Sequence, residues 1–306
     1  MNNFNNFNYN QFKISQDKLC AKHIIYSQVA NSFMEDLLIY PDITSSLITN
    51  TAIRTAYIKT NQTMTLCGSD WLTIAFMMHS TSTVKITWYF AEGEVIEAQQ
   101  NICKIEAIAT DLLIAERVAL NFIQFLSGTA TLVAQYVDKI ADTNTQLMDT
   151  RKTIPNLRFA QKYAVIVGGG VNQRIGLYDG ILIKENHIIA NSGLKNTLKV
   201  LNQKILDTSI KSFSIQVEVE TFEELVHALD AGVELVLLDN MSCELVAKCV
   251  QYVQQHNYTS VQLEASGGID LNNIRNYALT GVHRISIGSI TKHLTAIDLS
   301  MRLIAQ

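Results

Sequence analysis

Charge of either sign is scarce in this chain. Only 17% of the 306 residues are Asp, Glu, Lys or Arg, while 48% are hydrophobic, and the net charge is -4. No long basic run occurs, which argues against nucleic acid as a main partner. Mean hydropathy is +0.12, too apolar for a chain disordered over its whole length. Apolar runs such as GILIK and ELVLLDN are nonetheless short, far below the roughly 20 residues that span a bilayer. No membrane association is therefore expected. No basic stretch leads into an apolar one at the start, so no secretory signal is expected either. Proline is limited to Pro41 and Pro155, leaving Gly, Asn and Ser to shape the loops. The five cysteines (Cys20, Cys67, Cys103, Cys243 and Cys249) form no C-x-x-C and no zinc-finger spacing with histidine. Such scattered thiols are expected to be buried and reduced, in the cytoplasm. A G-x-x-x-x-G-K-S/T loop and any Ser-His-Asp or Cys-His set are also missing, which disfavours hydrolysis through a covalent nucleophile.

What is present divides into two patterns. The opening MNNFNNFNYNQF is Asn-rich and reads as a poorly ordered tail. After it, Ile24, Ile25, Val29, Phe33 and Leu37 recur at helical spacing. Between Ile48 and Glu97, TAYIKT, TMTLCG and TVKITWYFAEGEVI read as strands, with LTIAFMMHS as a helix among them. This predicts a first, mixed domain with an antiparallel sheet. A long helix is predicted from about Thr110 to Tyr136, with Gly128 as a candidate break.

Beyond it, short apolar runs alternate with amphipathic stretches. The runs are TQLMDTRK, GILIKENH, SIQVEVE, ELVLLDN, VQLEASGG and RISIGS. Strand and helix in alternation make a parallel sheet with helices outside. About 150 residues are too few for the eight units of a full barrel. Six strands are visible, and a seventh is expected near Thr153–Gly170. A smaller closed barrel fits the span, and an open doubly wound sheet competes with it.

Each run ends in polar residues: Asp149-Thr150-Arg151-Lys152, Lys184-Glu185-Asn186-His187, Glu218 to Glu220, Asp239-Asn240, Ser266-Gly267-Gly268 and Gly288-Ser289. In a parallel barrel all these ends meet at one rim. Turn chemistry alone accounts for Asn, Ser and Gly, but poorly for an Arg-Lys pair, a Lys and two acids at the same relative place. Between Asp149 and His187 stand six cations (Arg151, Lys152, Arg158, Lys162, Arg174, Lys184) and three acids (Asp149, Asp179, Glu185), a local charge of +3. A concave cationic surface binds polyanions. Glu218 and Asp239 would be unfavourable beside phosphates without a cation, so a hydrated Mg²⁺ between them, or a positive charge developing on a substrate, is expected. Ser266-Gly267-Gly268 and Gly288-Ser289 each follow a strand and precede a helix, which suits a phosphate. The GGG at 168–170 instead reads as shaping the loop that presents Arg174. His187 is a rim residue or a structural hydrogen-bonder. Arg117, on the apolar long helix, either pairs with Glu116 or another acid, or reaches a pocket, including that of a partner subunit.

These stretches together resemble the quinolinate phosphoribosyltransferase family (carboxylating nicotinate-nucleotide pyrophosphorylases). The resemblance rests on ERVALNFIQFLSGTAT, DTRKTIPNLR, KYAVIVGGGVNQRIGLYDGILIKENHI, VEVETFEEL, LLDNM, LEASGGI and GVHRISIGSITK, and runs from about Ile24 to the C-terminus. It implies an α/β fold: an N-terminal α/β sandwich followed by an incomplete, seven-stranded α/β barrel of TIM-like type. The corresponding boundaries are a tail over 1–14, the sandwich over 15–127, the barrel over 128–290, and a C-terminal helix over 291–306 packed back on the N-terminal domain. It implies a reaction between quinolinate and phosphoribosyl pyrophosphate that yields nicotinate mononucleotide, pyrophosphate and CO₂, with Mg²⁺ as cofactor. It also implies a homodimer or larger assembly.

By the same resemblance, Arg151, Arg174 and Lys184 are quinolinate-carboxylate ligands, and Arg117 comes from the neighbouring subunit. Lys152 and His187 lie near the phosphoribosyl pyrophosphate. Glu218 and Asp239 face ribose and metal, directly or through water. Ser266, Gly267, Gly268 and Gly288 form the 5′-phosphate cradle, and Thr150, Gln173, Ile287 and Ser289 complete the substrate-binding set. Lys152, Lys184, Glu218 and Asp239 are the catalytic positions. The family pattern commonly reads Asn-His-Arg where this chain has Asn172-Gln173-Arg174, and Gln carries no titrating proton. A paralogue associated with molybdenum transport operons and a non-catalytic phosphate-sugar sensor on the same barrel are the alternatives. The intact Lys184-Glu185-Asn186-His187 speaks against the first, and the paired acids against the second.

Overall fold

In a computed structural model of the chain, residues 18–38, 40, 42–49, 51–206 and 214–304 are described. The expected 1–14 tail and the thiol of Cys20 lie outside what is described. Among the described residues the chain begins with α1 (Lys18–Leu37), β1 (Ile53–Thr60), β2 (Met64–Thr65), α2 (Ser69–Met78), β3 (Lys85–Trp88), β4 (Val95–Ile96), β5 (Asn101–Ile108) and α3 (Ala109–Lys139). It continues through β6 (Gln146–Met148), α4 (Arg158–Val167), β7 (Gly180–Ile183), α5 (Glu185–Ala190), α6 (Leu194–Leu206), β8 (Ser214–Val219) and α7 (Phe222–Asp230). The last elements are β9 (Leu235–Asp239), α8 (Cys243–Gln255), β10 (Gln262–Ser266), α9 (Ile274–Leu279), β11 (Arg284–Ser286), α10 (Ser289–Lys292) and β12 (Leu299–Leu303).

Two compact units result. The first takes the chain up to Ala134, then Thr153–Gly169, then Ile290 onward; the second takes Gln135–Lys152 and Gly170–Ser289. The first unit holds a four-stranded antiparallel sheet in the order β12-β1-β5-β3. Alternation buries one face of β1, with Ala56 and Ile58 fully inside, and β5 buries Ile102, Cys103, Ile105 and Ala107. Helix α3 runs unbroken through Gly128, which is not a break. A β-carbon there would overlap the Thr295 carbonyl oxygen, so glycine lets a neighbouring strand of backbone approach closely. By length and composition α3 could cross a membrane, contrary to the sequence reading. Its apolar residues Leu112, Ala119, Ile123, Leu126, Ala130 and Val133 are buried in this unit's core.

The C-terminal segment corrects another expectation. It is a strand, not a helix: β12 pairs antiparallel with β1, from Ala56 opposite Leu303 to Thr60 opposite Leu299. The helical part stops at Lys292. An alternating LSMRL run offers one apolar face to a sheet edge, which period-2 pairing satisfies better than a helix.

The second unit is a parallel sheet of six strands ordered β6-β11-β10-β9-β8-β7. The first strand pairs with the last, so the sheet curls on itself as an incomplete α/β barrel of TIM-like type, not an open doubly wound sheet. The expected seventh strand is reduced to a single parallel bridge, Met148 to Val171, just past the 153–170 window. That window instead holds α4, which belongs to the first unit. Capping fits the sequence. Thr221 and Glu224 form a reciprocal capping box at α7, and Ser242 caps α8.

Candidate active site

Every strand of the second unit points the same way, so the carboxyl ends gather at one edge. Register shows which residues stand side by side. Asp239 lies opposite Ser266, Ser266 opposite Ser286, and Ser286 opposite Met148. Thr150 and Gly288, two residues past the last two, meet as well. A β-carbon on Gly288 would sit 3.3 Å from Thr150 Oγ1 and 2.9 Å from Lys152 Cδ. The Lys152 backbone N–H donates to Thr150 Oγ1 at 3.0 Å, tightening this turn.

The ionic centre of the edge joins β7 to β8. Lys184 Nζ donates to both oxygens of Glu218, at 2.7 and 2.5 Å. Asp239 is raised from its ordinary value, first by burial and then by Glu218, while Lys184 and Lys152 oppose this. Arg174 is pulled below its ordinary value by burial and then by nearby Arg151, against Asp179 and Glu218. Its Nη1 donates to the Gly180 carbonyl at 3.0 Å. Two guanidinium groups and a lysine therefore face two carboxylates within one field. Such a mouth can hold a substrate carrying both anionic groups and a centre that turns positive.

The glycine turn after β10 is open. Gly267 and Gly268 both have left-handed backbone, with φ of 92° and 66°. A side chain at Gly267 would overlap Asn240, whereas nothing lies within 4 Å of a β-carbon on Gly268. The chain is thus bent close on one side and left clear on the other, as a phosphate cradle needs. Five residues separate Gly268 from α9, so this turn is not itself a helix start, whereas Gly288 directly precedes α10, one short turn, as expected from sequence. Ser266 Oγ donates to the Ser286 carbonyl at 3.3 Å.

Other expectations need adjustment. Ile287 is buried, and its N–H donates to the Met148 carbonyl, so neither its side chain nor its N–H is offered to a ligand. His187 is exposed, and its Nδ1 accepts from the Lys184 N–H at 3.0 Å, which caps α5 and leaves the proton on Nε2. Of the six cations counted between Asp149 and His187, Arg158 and Lys162 belong to the first unit. Lys162 is fully buried, and Arg151, Lys152, Arg174 and Lys184 belong to the second unit. Arg117 also belongs to the first unit and is exposed. Among the described residues it makes no ion pair with Glu116. Of the thiols, Cys67, Cys103 and Cys249 are buried and Cys243 is partly so.

One buried acid beside these residues was missed. Glu264 lies inside β10, 1% exposed, and accepts from Gln173 Nε2 at 2.6 Å and Gln216 Nε2 at 2.9 Å. The signal was an acid in the interior of an otherwise apolar strand, VQLEA.

Comparison with known proteins matches two family models to the chain. The N-terminal domain of quinolinate phosphoribosyl transferase matches residues 42–127, and its C-terminal domain matches residues 129–302. This chain belongs to the quinolinate phosphoribosyltransferase family. A probable carboxylating nicotinate-nucleotide pyrophosphorylase of Synechocystis is 38% identical over 70% of this chain and 70% of its own. One from Bacillus subtilis is 38% identical over 69% of this chain and 70% of its own. The solved nicotinate-nucleotide pyrophosphorylase of Francisella tularensis superposes with a TM-score of 0.85 at 41% identity, covering 92% of this chain and 97% of that one. Family membership thus agrees with what the geometry of the strand ends can do.

Proposed function

We propose that this chain is a pentosyltransferase that moves the phosphoribosyl group of phosphoribosyl pyrophosphate to the ring nitrogen of quinolinate. Pyrophosphate and CO₂ leave, and nicotinate mononucleotide enters NAD biosynthesis. The observation that carries this reading is the Lys184–Glu218 contact, with Asp239, Arg174 and the open Gly268 turn at the ends of one parallel sheet.

The two carboxylates of quinolinate call for cations, and Arg151, Arg174 and Lys184 supply them. The 5′-phosphate fits the Ser266-Gly267-Gly268 turn beside Gly288. As pyrophosphate departs, ribose C1 gains positive character, which Glu218 and Asp239 stabilise. The quinolinate nitrogen attacks with its own lone pair, so no general base is needed there. Its ring becomes cationic and accepts the electrons released when the adjacent carboxylate leaves as CO₂.

Among the described residues no three His, Cys, Asp or Glu side chains cluster to hold a metal. Two acids without a third protein ligand fit a Mg²⁺ that arrives with phosphate oxygens and water. Glu218 and Asp239 would hold it, and when bound it neutralises charge on the leaving pyrophosphate. Arg117 adds a further cation from a second copy. It borders a hollow of ≈520 Å³ lined by Asp36, Leu38, Tyr40, Ile43 and Leu113. Tyr40 and Ile43 are 70% and 75% exposed, and large exposed apolar groups favour an interface. We place the enzyme in the cytoplasm, where the free thiols stay reduced.

Incubation with quinolinate, phosphoribosyl pyrophosphate and Mg²⁺ is expected to release CO₂ in equal amount with nicotinate mononucleotide. Absence of both products would remove the reading.

A further inference from the structure

The loop that carries Arg174 is held by two buried carboxylates. Asp149, fully buried just after β6, accepts from the Gln173 N–H at 2.9 Å and from Asn172 Nδ2 at 2.5 Å. Glu264, inside β10, accepts from the side chains of Gln173 and Gln216, one on each oxygen. Arg174 follows directly, and the next N–H, of Ile175, donates to Asp179 at 2.8 Å. The loop is therefore pinned on both sides of Arg174.

A carboxyl group in a strand interior is unfavourable unless it is well bonded. Burial pushes Glu264 upward, and Ser286, Gln216, Arg284 and Gln173 pull it back. An apolar residue would fill the same space with less desolvation. The acid is therefore better explained by what it holds than by packing. We propose that Glu264 is a positioning residue: through the Gln173 amide it sets the place of Arg174, and so the affinity for the dicarboxylate substrate. This rests on reading Arg174 as a quinolinate ligand.

Glu264→Gln is the direct test. A glutamine offers one oxygen and one amino group, so it cannot accept from both neighbouring amides, and one of them must turn. KM for quinolinate is expected to rise about tenfold, the loss of one hydrogen bond to a charged group. KM for phosphoribosyl pyrophosphate and the thermal midpoint should stay close to wild type. Combining Glu264→Gln with Gln216→Glu moves the carboxylate across the pair and leaves the oxygen of the introduced amide for Gln173, so quinolinate KM should largely recover. Gln173→Asn, which keeps the amide but withdraws it by one methylene, tests the same contact from the loop. In a folded Gln173→Asn protein, the same selective rise is expected. Arg174→Ala is the control: an unchanged quinolinate KM there sinks the ligand reading itself. If Arg174→Ala raises that KM while Glu264→Gln and Gln173→Asn do not, the positioning role is overturned. It is equally overturned if both KM values rise together or the swap restores nothing.

Discussion

The two units use their charged residues differently, and strand direction is the reason. In the first unit, the antiparallel sheet sends successive strand ends to opposite edges. Its charges are accordingly local: Glu106 takes Lys104 at 3.1 Å and Lys85, on the adjacent strand, at 3.8 Å. Glu92 serves one helix start, accepting from the N–H groups of Gly68 and Ser69. In the second unit all strands run in parallel, so residues 30 or more apart in sequence share one edge. Lys184 reaches Glu218 across 34 positions. A parallel barrel concentrates chemistry because its topology brings every strand's carboxyl end to the same rim, whereas the antiparallel sheet disperses the same residue types into stabilising pairs.

The comparison breaks first at Lys184. Its loss leaves Glu218 and Asp239 as two acids in one field with a main counter-charge gone, and removes a cation proposed for substrate. Lys184→Ala is expected to lower kcat/KM at least about 10³-fold while the thermal midpoint barely moves, because Lys184 is about half exposed. A wild-type rate would take Lys184 out of the site. The subunit reading of Arg117 can be attached to the same variant. Mixed with an Arg117→Ala protein under subunit exchange, two dead enzymes should regain about a quarter of wild-type activity, since half the dimers then carry one complete site. No recovery would mean that Arg117 serves its own chain or none.

Much of this was legible in the sequence because it is local. Hydrophobic period gave the strands and helices of the second unit, and the polar residues after each run marked their carboxyl ends. What was not legible depended on tertiary partners. LSMRL at 299–303 finds a place only because β1 presents an unpaired edge. Gly128 looked like a helix breaker because a single sequence does not show the Thr295 backbone against it. Lys162 entered the local charge of +3, yet it is fully buried on a helix of the first unit. Glu264 was hidden in a strand, where a one-residue acid gives no periodic signal and its partners lie 48 and 91 positions away.

A middle-sized effect is expected at Gly128, where the first unit should lose stability without losing chemistry. A methyl group there must displace the Thr295 and Ala296 backbone, which cannot swing aside as a side chain can. Gly128→Ala is expected to destabilise by about 1–3 kcal/mol, read from denaturant unfolding, with kcat/KM of the folded fraction within about twofold of wild type. A loss of kcat/KM like that of Lys184→Ala in a protein of unchanged stability would erase the division of labour between the units.

The smallest effect, and the one with a pH signature, belongs to Asp70. It stands in the first turn of α2, where a helix start favours a negative charge, yet its carboxyl is raised from 3.8 to about 6. Burial is the main cause, Glu92 adds to it, and Lys22 opposes it. The folded protein thus binds this proton more tightly than the unfolded chain. Its contribution to stability is fully present below about 3.8 and is lost as pH rises through about 6. Above that, an ionised Asp70 sits poorly solvated beside another acid. Asp70→Asn should therefore stabilise the fold at pH 7.5 by about 1–3 kcal/mol, and the advantage should fade toward pH 4. Chemical denaturation at the two pH values decides it: an equal difference at both would show that Asp70 titrates normally. Asp239 is raised for the same two kinds of reason, burial and a neighbouring acid. It differs in facing Lys184 and Lys152 at the strand ends, where the cation proposed to arrive with substrate would relieve the strain that Asp70 carries permanently. Such relief on binding, absent at Asp70, would make a raised carboxylate useful.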